Sequence, residues 1–235
     1  MPGQTGRASQ SNECLRVSAF RASVAQIADA GLRVRAQHDA PPDCQHEAFF
    51  HRRSTMGILD KVVATVTPEA SDEDRAEARG KARALSAGHD WLGMVLDHHE
   101  AIEEAFAAVR SASNESARRT AQENLAGLLT AHSIAEEAVL YPAMALTDQK
   151  SHATEAYTEQ SAAKIQTAAL DDLKPMSQDY LDKLEHLRAA VAHHVYEEES
   201  TWFPALWKTC DASKRAKLSA LYQEQFERYA GTVSA

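Results

Sequence analysis

Cysteine is scarce in this sequence, and what there is does not cluster. The three cysteines, Cys14, Cys44 and Cys210, lie far apart with no CxxC among them, which argues against a disulfide scaffold or a thiolate metal site. A reducing, cytoplasmic compartment is the simpler expectation. Glycine and proline are also few, 9 and 7 in 235 residues, and with abundant Ala, Leu, Glu and Arg this favours helix throughout. Positive charge is short as well. The formal net charge of −9 argues against nucleic acid as a main partner, because neutralising phosphates takes clustered Lys and Arg. Nothing in the chain suggests a membrane span. With 44% hydrophobic and 25% charged residues, the expected class is a soluble, globular, all-α protein.

The first 55 residues stand apart in composition. They hold seven Arg, no Lys and five acids, a balance of +2, while the remainder carries −11. Their apolar residues are too interrupted for a secretory signal, which needs a continuous run of about seven. Leu15 to Arg35 could form the amphipathic helix of a transit peptide, although low hydrophobicity favours a disordered tail. A third reading begins at MGILDKVVATV: Met56 opens an ordinary amphipathic stretch, so that residues 1–55 are an upstream extension of the reading frame.

Beyond this, Ser71 with acids in the following turn predicts a short helix, so that 56–87 read as a helical lead-in. Longer helices are expected at about 90–110, 115–146, 149–172 and 177–208, with Asn114 and Ser177 as caps. Short connections make neighbouring helices antiparallel, which predicts an up-down-up-down four-helix bundle over 88–208. Residues 209–235 hold a last amphipathic helix, SKRAKLSALYQEQFERYA, expected to pack outside the bundle.

Inside the bundle region the chain repeats itself. HSIAEEAVLYP, residues 132–142, returns 62 residues later within HHVYEEESTWFP, residues 193–204. His132 falls on His194, Glu136 on Glu198, Glu137 on Glu199, Tyr141 on Phe203 and Pro142 on Pro204. The same offset places Asp97 on Glu159 and His98 on Gln160. A lone HxxxE pair on a helix is usually a surface salt bridge, but two copies in register reverse that reading.

Residues four apart share one helix face, and the neighbours of both HxxxE pairs at three- and four-residue steps are mostly apolar, Leu128 and Val139 on one helix and Val191 and Trp202 on the other. Burying His and Glu there costs several kcal/mol per ion unless a cation compensates. Imidazole and carboxylate suit iron, manganese or zinc. The candidate ligands are His98, His132, Glu136, Gln160, His194 and Glu198, too many for one tetrahedral ion and about right for two that share the glutamates. His99 and His193 sit about 100° around the helix from the ligand positions and read as interface or surface residues. Glu137, Glu197 and Glu199 read as solvated groups or as acceptors for the outer nitrogens of ligating histidines. Tyr157 reads as a core aromatic.

DHHEAI, HSIAEEAVLYP and HHVYEEESTWFP, in that order and spacing, resemble the hemerythrin-like HHE cation-binding domains over about residues 88–208. The resemblance implies a four-helix bundle with a non-heme diiron centre that binds or reacts with oxygen, peroxide or nitric oxide, or that senses or stores iron. Gln160 departs from it, since the family most often has histidine there; an amide is a weaker ligand, which argues against reversible oxygen carriage and for an open or labile second ion. The expected cofactor is iron, two ions per chain, with manganese or zinc as alternatives, and the expected partner is a small diatomic ligand or peroxide. An iron- or gas-sensing module without turnover and a metal-free helical scaffold are the competing readings.

Overall fold

The structure is a computed structural model, and it describes residues 70–86 and 88–230. The expectations for residues 1–55 and for a start at Met56 lie outside the described residues. Every regular element among the described residues is helical. Helix α1 spans Asp72–Leu85, α2 Trp91–Ser111, α3 Glu115–Ala135, α4 Tyr141–Ala145, α5 Lys150–Ala169, α6 Gln178–Glu197, α7 Phe203–Thr209 and α8 Ala212–Ala230.

Local chemistry sets the starts. The Ser71 hydroxyl accepts from the Asp74 amide at 3.1 Å, and the Asp74 carboxylate accepts from the Ser71 amide at 3.2 Å, a reciprocal cap worth about 1 kcal/mol. Asp90, Asn114 and Ser177 cap α2, α3 and α6 one way only, each side chain accepting from the backbone amide three residues on. Gly88 turns the chain into α2 with φ of 94°, a conformation that costs glycine little. At the far end, buried Arg118 collects the carbonyls of Val109, Arg110, Ala112 and Pro175, satisfying acceptors that the end of α2 leaves unpaired.

The helices expected at 115–146 and 177–208 are not continuous. Each widens into a single π-turn at its second ligand candidate, Glu136–Leu140 and Glu198–Trp202, before α4 and α7 resume. The Tyr141 amide reaches back five residues to the Glu136 carbonyl, and the Phe203 amide to that of Glu198. Pro142 and Pro204 follow directly; each lacks an amide hydrogen and would crowd the carbonyl four residues before it in a regular helix. A wider turn relieves that clash, and such bulges gather at functional sites. The Glu137 carbonyl, released from the α-helical ladder, accepts the Tyr157 hydroxyl at 2.7 Å. Tyr157 is therefore a 37% exposed bracket over the turn and not the core aromatic expected.

Two apolar clusters fill the interior. One is built around Trp91, Leu96, Tyr141, Trp202 and Phe203, the other around Ile102, Phe106, Leu125, Tyr180 and Leu187. Along α2 the clusters meet between Leu96 and Ile102, along α3 between Leu128 and Ala135, and along α6 and its π-turn between Val195 and Trp202. His99, His132 and Glu198 fall in these gaps, and Glu136 and His194 lie one residue outside them, so the polar set forms a layer where the two apolar clusters meet. Helices α1 and α8 pack against this assembly, α8 chiefly on α3 and α2.

Candidate metal centre

Four side chains converge at the junction of the two clusters. His99 of α2, His132 of α3, and Glu136 and Glu198 of the two π-turns each place a donor atom within 4.8 Å of the others, and all four are buried. His99 Nε2 lies 3.3 Å from Glu198 Oε2 and 4.0 Å from Glu136 Oε1, while His132 Nε2 lies 3.2 Å from Glu136 Oε2. His99 Nε2, Glu136 Oε1 and Glu198 Oε2 are fully buried atoms without a hydrogen-bond partner. Orphaned buried polar atoms are costly, on the order of 1–3 kcal/mol each. Three of them facing one point, with imidazole and carboxylate chemistry, fit a divalent or trivalent cation.

The opposite side of the carboxylate pair is lined differently. His194 Nε2 lies 3.3 Å from Glu198 Oε1. Gln160 donates through Nε2 to Glu136 Oε2 at 2.6 Å. The Tyr141 hydroxyl stands among them, 2.9 Å from Glu198 Oε1, 3.2 Å from Glu136 Oε2, 3.1 Å from His194 Nε2 and 2.6 Å from Gln160 Nε2. Gln160 Oε1 is buried and unpartnered.

Outer contacts hold three imidazoles from behind. His99 Nδ1 lies 2.8 Å from Glu199 Oε1, and His194 Nδ1 lies 2.8 Å from Glu159 Oε2. His132 Nδ1 is 3.3 Å from the Tyr222 hydroxyl of α8. An acceptor on one ring nitrogen fixes the tautomer and frees the other nitrogen to ligate.

The buried imidazoles and carboxylates shift one another's protonation in opposite directions. Burial works against the charge on His99, but the carboxylates of Glu198 and Glu199 outweigh it and hold the ring at about 9. Burial likewise opposes the charge on His194, and Glu198 and Glu159 raise it nonetheless. Burial and the nearby charge of His99 push His132 well down. Glu136 is raised by burial and by the charge of Glu198, whereas Glu198 is lowered because His194 and His99 overcome its burial. A cation held by these residues would supply this compensation and would require the imidazole nitrogens facing it to be free of protons.

Of the six residues proposed from sequence, His132, Glu136, Gln160, His194 and Glu198 meet in this layer. His98 does not. Its ring stacks on Phe226 with centroids 3.7 Å apart and its Nδ1 lies 2.9 Å from the Tyr222 hydroxyl, so it faces α8, and His99, assigned to an interface, takes the inner place. The repeat offset caused the error. His99 precedes His132 by 33 residues and Gln160 precedes His194 by 34, because the connection between α5 and α6 is longer than that between α2 and α3 and the helical stretches flanking it are shorter, leaving a net difference of one. The apolar stripe of α2, Leu92, Val95, Leu96, Ile102, Phe106 and Val109, holds the correct signal, since its three- and four-residue steps run through position 99. Tyr141 was legible only as an aromatic opposite Phe203, and Tyr222 lies outside the repeat.

Residues 90–206 match the family model of the hemerythrin HHE cation-binding domain, and the chain belongs to that family. A "DNA nickase" from Nostoc sp. (strain PCC 7120 / SAG 25.82 / UTEX 2576) is 37% identical over 78 residues, covering 33% of this chain and 22% of that protein. The match thus spans about a fifth of the relative's length. No solved structure matches the chain.

Proposed function

We propose that the chain is a non-heme iron protein whose buried layer holds two ions in unlike positions and binds or reacts with oxygen, peroxide or nitric oxide. The observation that carries this reading is the convergence of three unpartnered buried donor atoms, His99 Nε2, Glu136 Oε1 and Glu198 Oε2, in a domain of the HHE cation-binding family. His99 and His132 would hold the first ion, His194 and Gln160 the second, and Glu136 and Glu198 both. The helices that carry these residues, α2, α3, α5 and α6, would run alternately up and down. Iron supplies a redox-active centre with room for a small ligand wherever the protein leaves a position open.

The chain's own residues make the second position the open one. Gln160 offers an amide oxygen only after its amide turns over, since Nε2 now faces the carboxylates. The Tyr141 phenol reaches both carboxylates and His194, placing a hydroxyl where an incoming ligand would need a proton held or given. The apolar layers on either side exclude water from both positions.

A sensing role is the second reading, favoured by one contact: Tyr222 of α8 touches His132, so a change at the first position is felt by a helix outside the matched segment. Nicking of DNA is not carried over, because the similarity covers so little of that relative and the net charge of −9 opposes phosphate binding.

The test is metal analysis with a visible spectrum on the full chain, expressed in iron-rich medium and purified without chelating resin. Two irons per chain with charge-transfer bands are expected. A single ion contradicts the paired site, and a chain that takes up none leaves a helical scaffold.

A further inference from the structure

Helix α1 lies outside the segment that matches the family model, yet one of its side chains reaches the polar layer. Arg79 donates through Nε to both oxygens of Glu199, at 2.9 and 3.2 Å. Its two terminal nitrogens fork onto Glu103 of α2 at 3.0 and 2.7 Å. Glu199 is 1% exposed and is the group that meets His99 Nδ1 at 2.8 Å. Arg79, Glu199 and His99 therefore form one line from the protein surface to the orphaned Nε2 atom. We propose that Arg79 is a positioning residue of the cation site, which acts through Glu199 to hold the His99 ring with its proton on Nδ1 and its lone pair on Nε2, facing the ion.

Three observations support the assignment, which rests on the cation reading above. Both Glu199 oxygens are engaged, one by Arg79 and His99 together and the other by Arg79 alone, so the carboxylate cannot turn away from the ring. A buried carboxylate beside an imidazole needs a compensating cation, and a planar guanidinium satisfies two carboxylates at once as an ammonium cannot. The repeat supplies an internal control. Glu137 occupies the position equivalent to Glu199, but it pairs with Lys164 at 2.5 Å on a partly exposed surface. The inward role of Glu199 thus comes from α1 and not from the repeated motif.

The experiment compares the full wild-type chain with Arg79→Gln, Arg79→Lys and Glu103→Gln, each freed of metal and titrated anaerobically with ferrous iron and separately with cobalt(II), whose visible spectrum reports its ligands. Arg79→Gln should weaken the tighter ion about 10- to 100-fold, as loss of an outer partner to a ligating histidine does, and should alter the cobalt bands. Arg79→Lys should recover part of this, and Glu103→Gln should stay close to wild type because it leaves the contact with Glu199 in place. Melting of the metal-free proteins separates this effect from general destabilisation. If Arg79→Gln does not fold, Glu199→Gln, which keeps the side chain's size, is held to the same standard. Wild-type affinity and an unchanged cobalt spectrum in the variant overturn the inference while leaving the cation reading intact. A wild-type chain that takes up neither ion overturns both.

Discussion

The two sides of the carboxylate pair start from the same duplicated motif and end unlike. On the His99 side two imidazoles stand with two carboxylates, their donor atoms within 4.8 Å of one another, and His99 Nε2, Glu136 Oε1 and Glu198 Oε2 lack a hydrogen-bond partner. On the His194 side there is one imidazole, an amide that presents its nitrogen, and a phenol that already joins the groups an ion would join. Outer support differs too. Glu199 is locked between His99 and Arg79, while its repeat-mate Glu137 pairs with surface Lys164. Duplication therefore supplies a scaffold of two HxxxE turns, and the residues added around each decide what it does. On the proposed reading, one side would hold an ion fully and the other would leave an ion incompletely held.

The largest expected effect comes from removing what the two sides share. Glu198→Gln takes away a carboxylate that faces His99 on one side and His194 on the other. Both ions should be lost, together with their contribution to stability, about 2.7 kcal/mol for each ion at a hundredfold excess of metal over its dissociation constant. The metal-free variant should also melt below the metal-free wild type, because the carboxylate that holds the charge on His99 and His194 has gone and leaves both buried imidazoles without it. Calorimetry with and without iron checks both halves. Two ions still bound would mean that the sides do not share this residue.

A smaller effect should sharpen the asymmetry. Gln160→His replaces an amide with the ligand type present on the other side, and its position opposite Glu136 leaves the ring directed at the second ion. Affinity for the second ion should rise about tenfold, or roughly 1.4 kcal/mol, with the first unchanged. Competitive titration against a chelator reads the two ions separately. If both tighten equally, the sides are not independent, and if neither does, Gln160 does not face an ion.

How far this asymmetry was legible in the sequence follows from where each signal lives. The helices, their caps and the HxxxE pairs came from local spacing, which helix geometry converts directly into a shared face. Ser71, Asn114 and Ser177 cap as their chemistry requires. The π-turns were hidden, although Pro142 and Pro204 at equal spacing were the residues that make a regular helix uncomfortable. His99 was missed because the repeat offset was given more weight than the apolar stripe of α2, and the stripe follows burial more closely than an offset that crosses two turns of different length. The outer partners, Arg79 and Tyr222, come from helices far away in sequence. Only tertiary packing brings them to His99 and His132, and no periodicity within α1 or α8 marks them.

The smallest effect concerns the histidine that the offset favoured. His98 packs against Phe226 and accepts or donates at the Tyr222 hydroxyl, which also meets His132 Nδ1. If His132 ligates through Nε2, its Nδ1–H donates to Tyr222, and Tyr222 in turn donates to an unprotonated His98 Nδ1. That direction of hydrogen bonding requires neutral His98. Burial, reinforced by the charge of His99 and opposed by Asp97, lowers its pKa from 6.5 to about 4. The unfolded chain therefore binds a proton near pH 6.5 that the folded chain refuses until about pH 4. Stability from this residue is complete above pH 6.5 and is lost as the pH falls from there towards 4. His98→Gln removes the titrating group, so the stability advantage of wild type over this variant, read from urea unfolding of the metal-free proteins, should be constant above pH 7 and shrink below 6.5. Parallel curves across that range would mean that His98 takes up its proton in the fold as readily as in the unfolded chain, so that below pH 6.5 it would be protonated in the fold. The hydroxyl of Tyr222 could not then link it to His132 in the direction a bound ion requires.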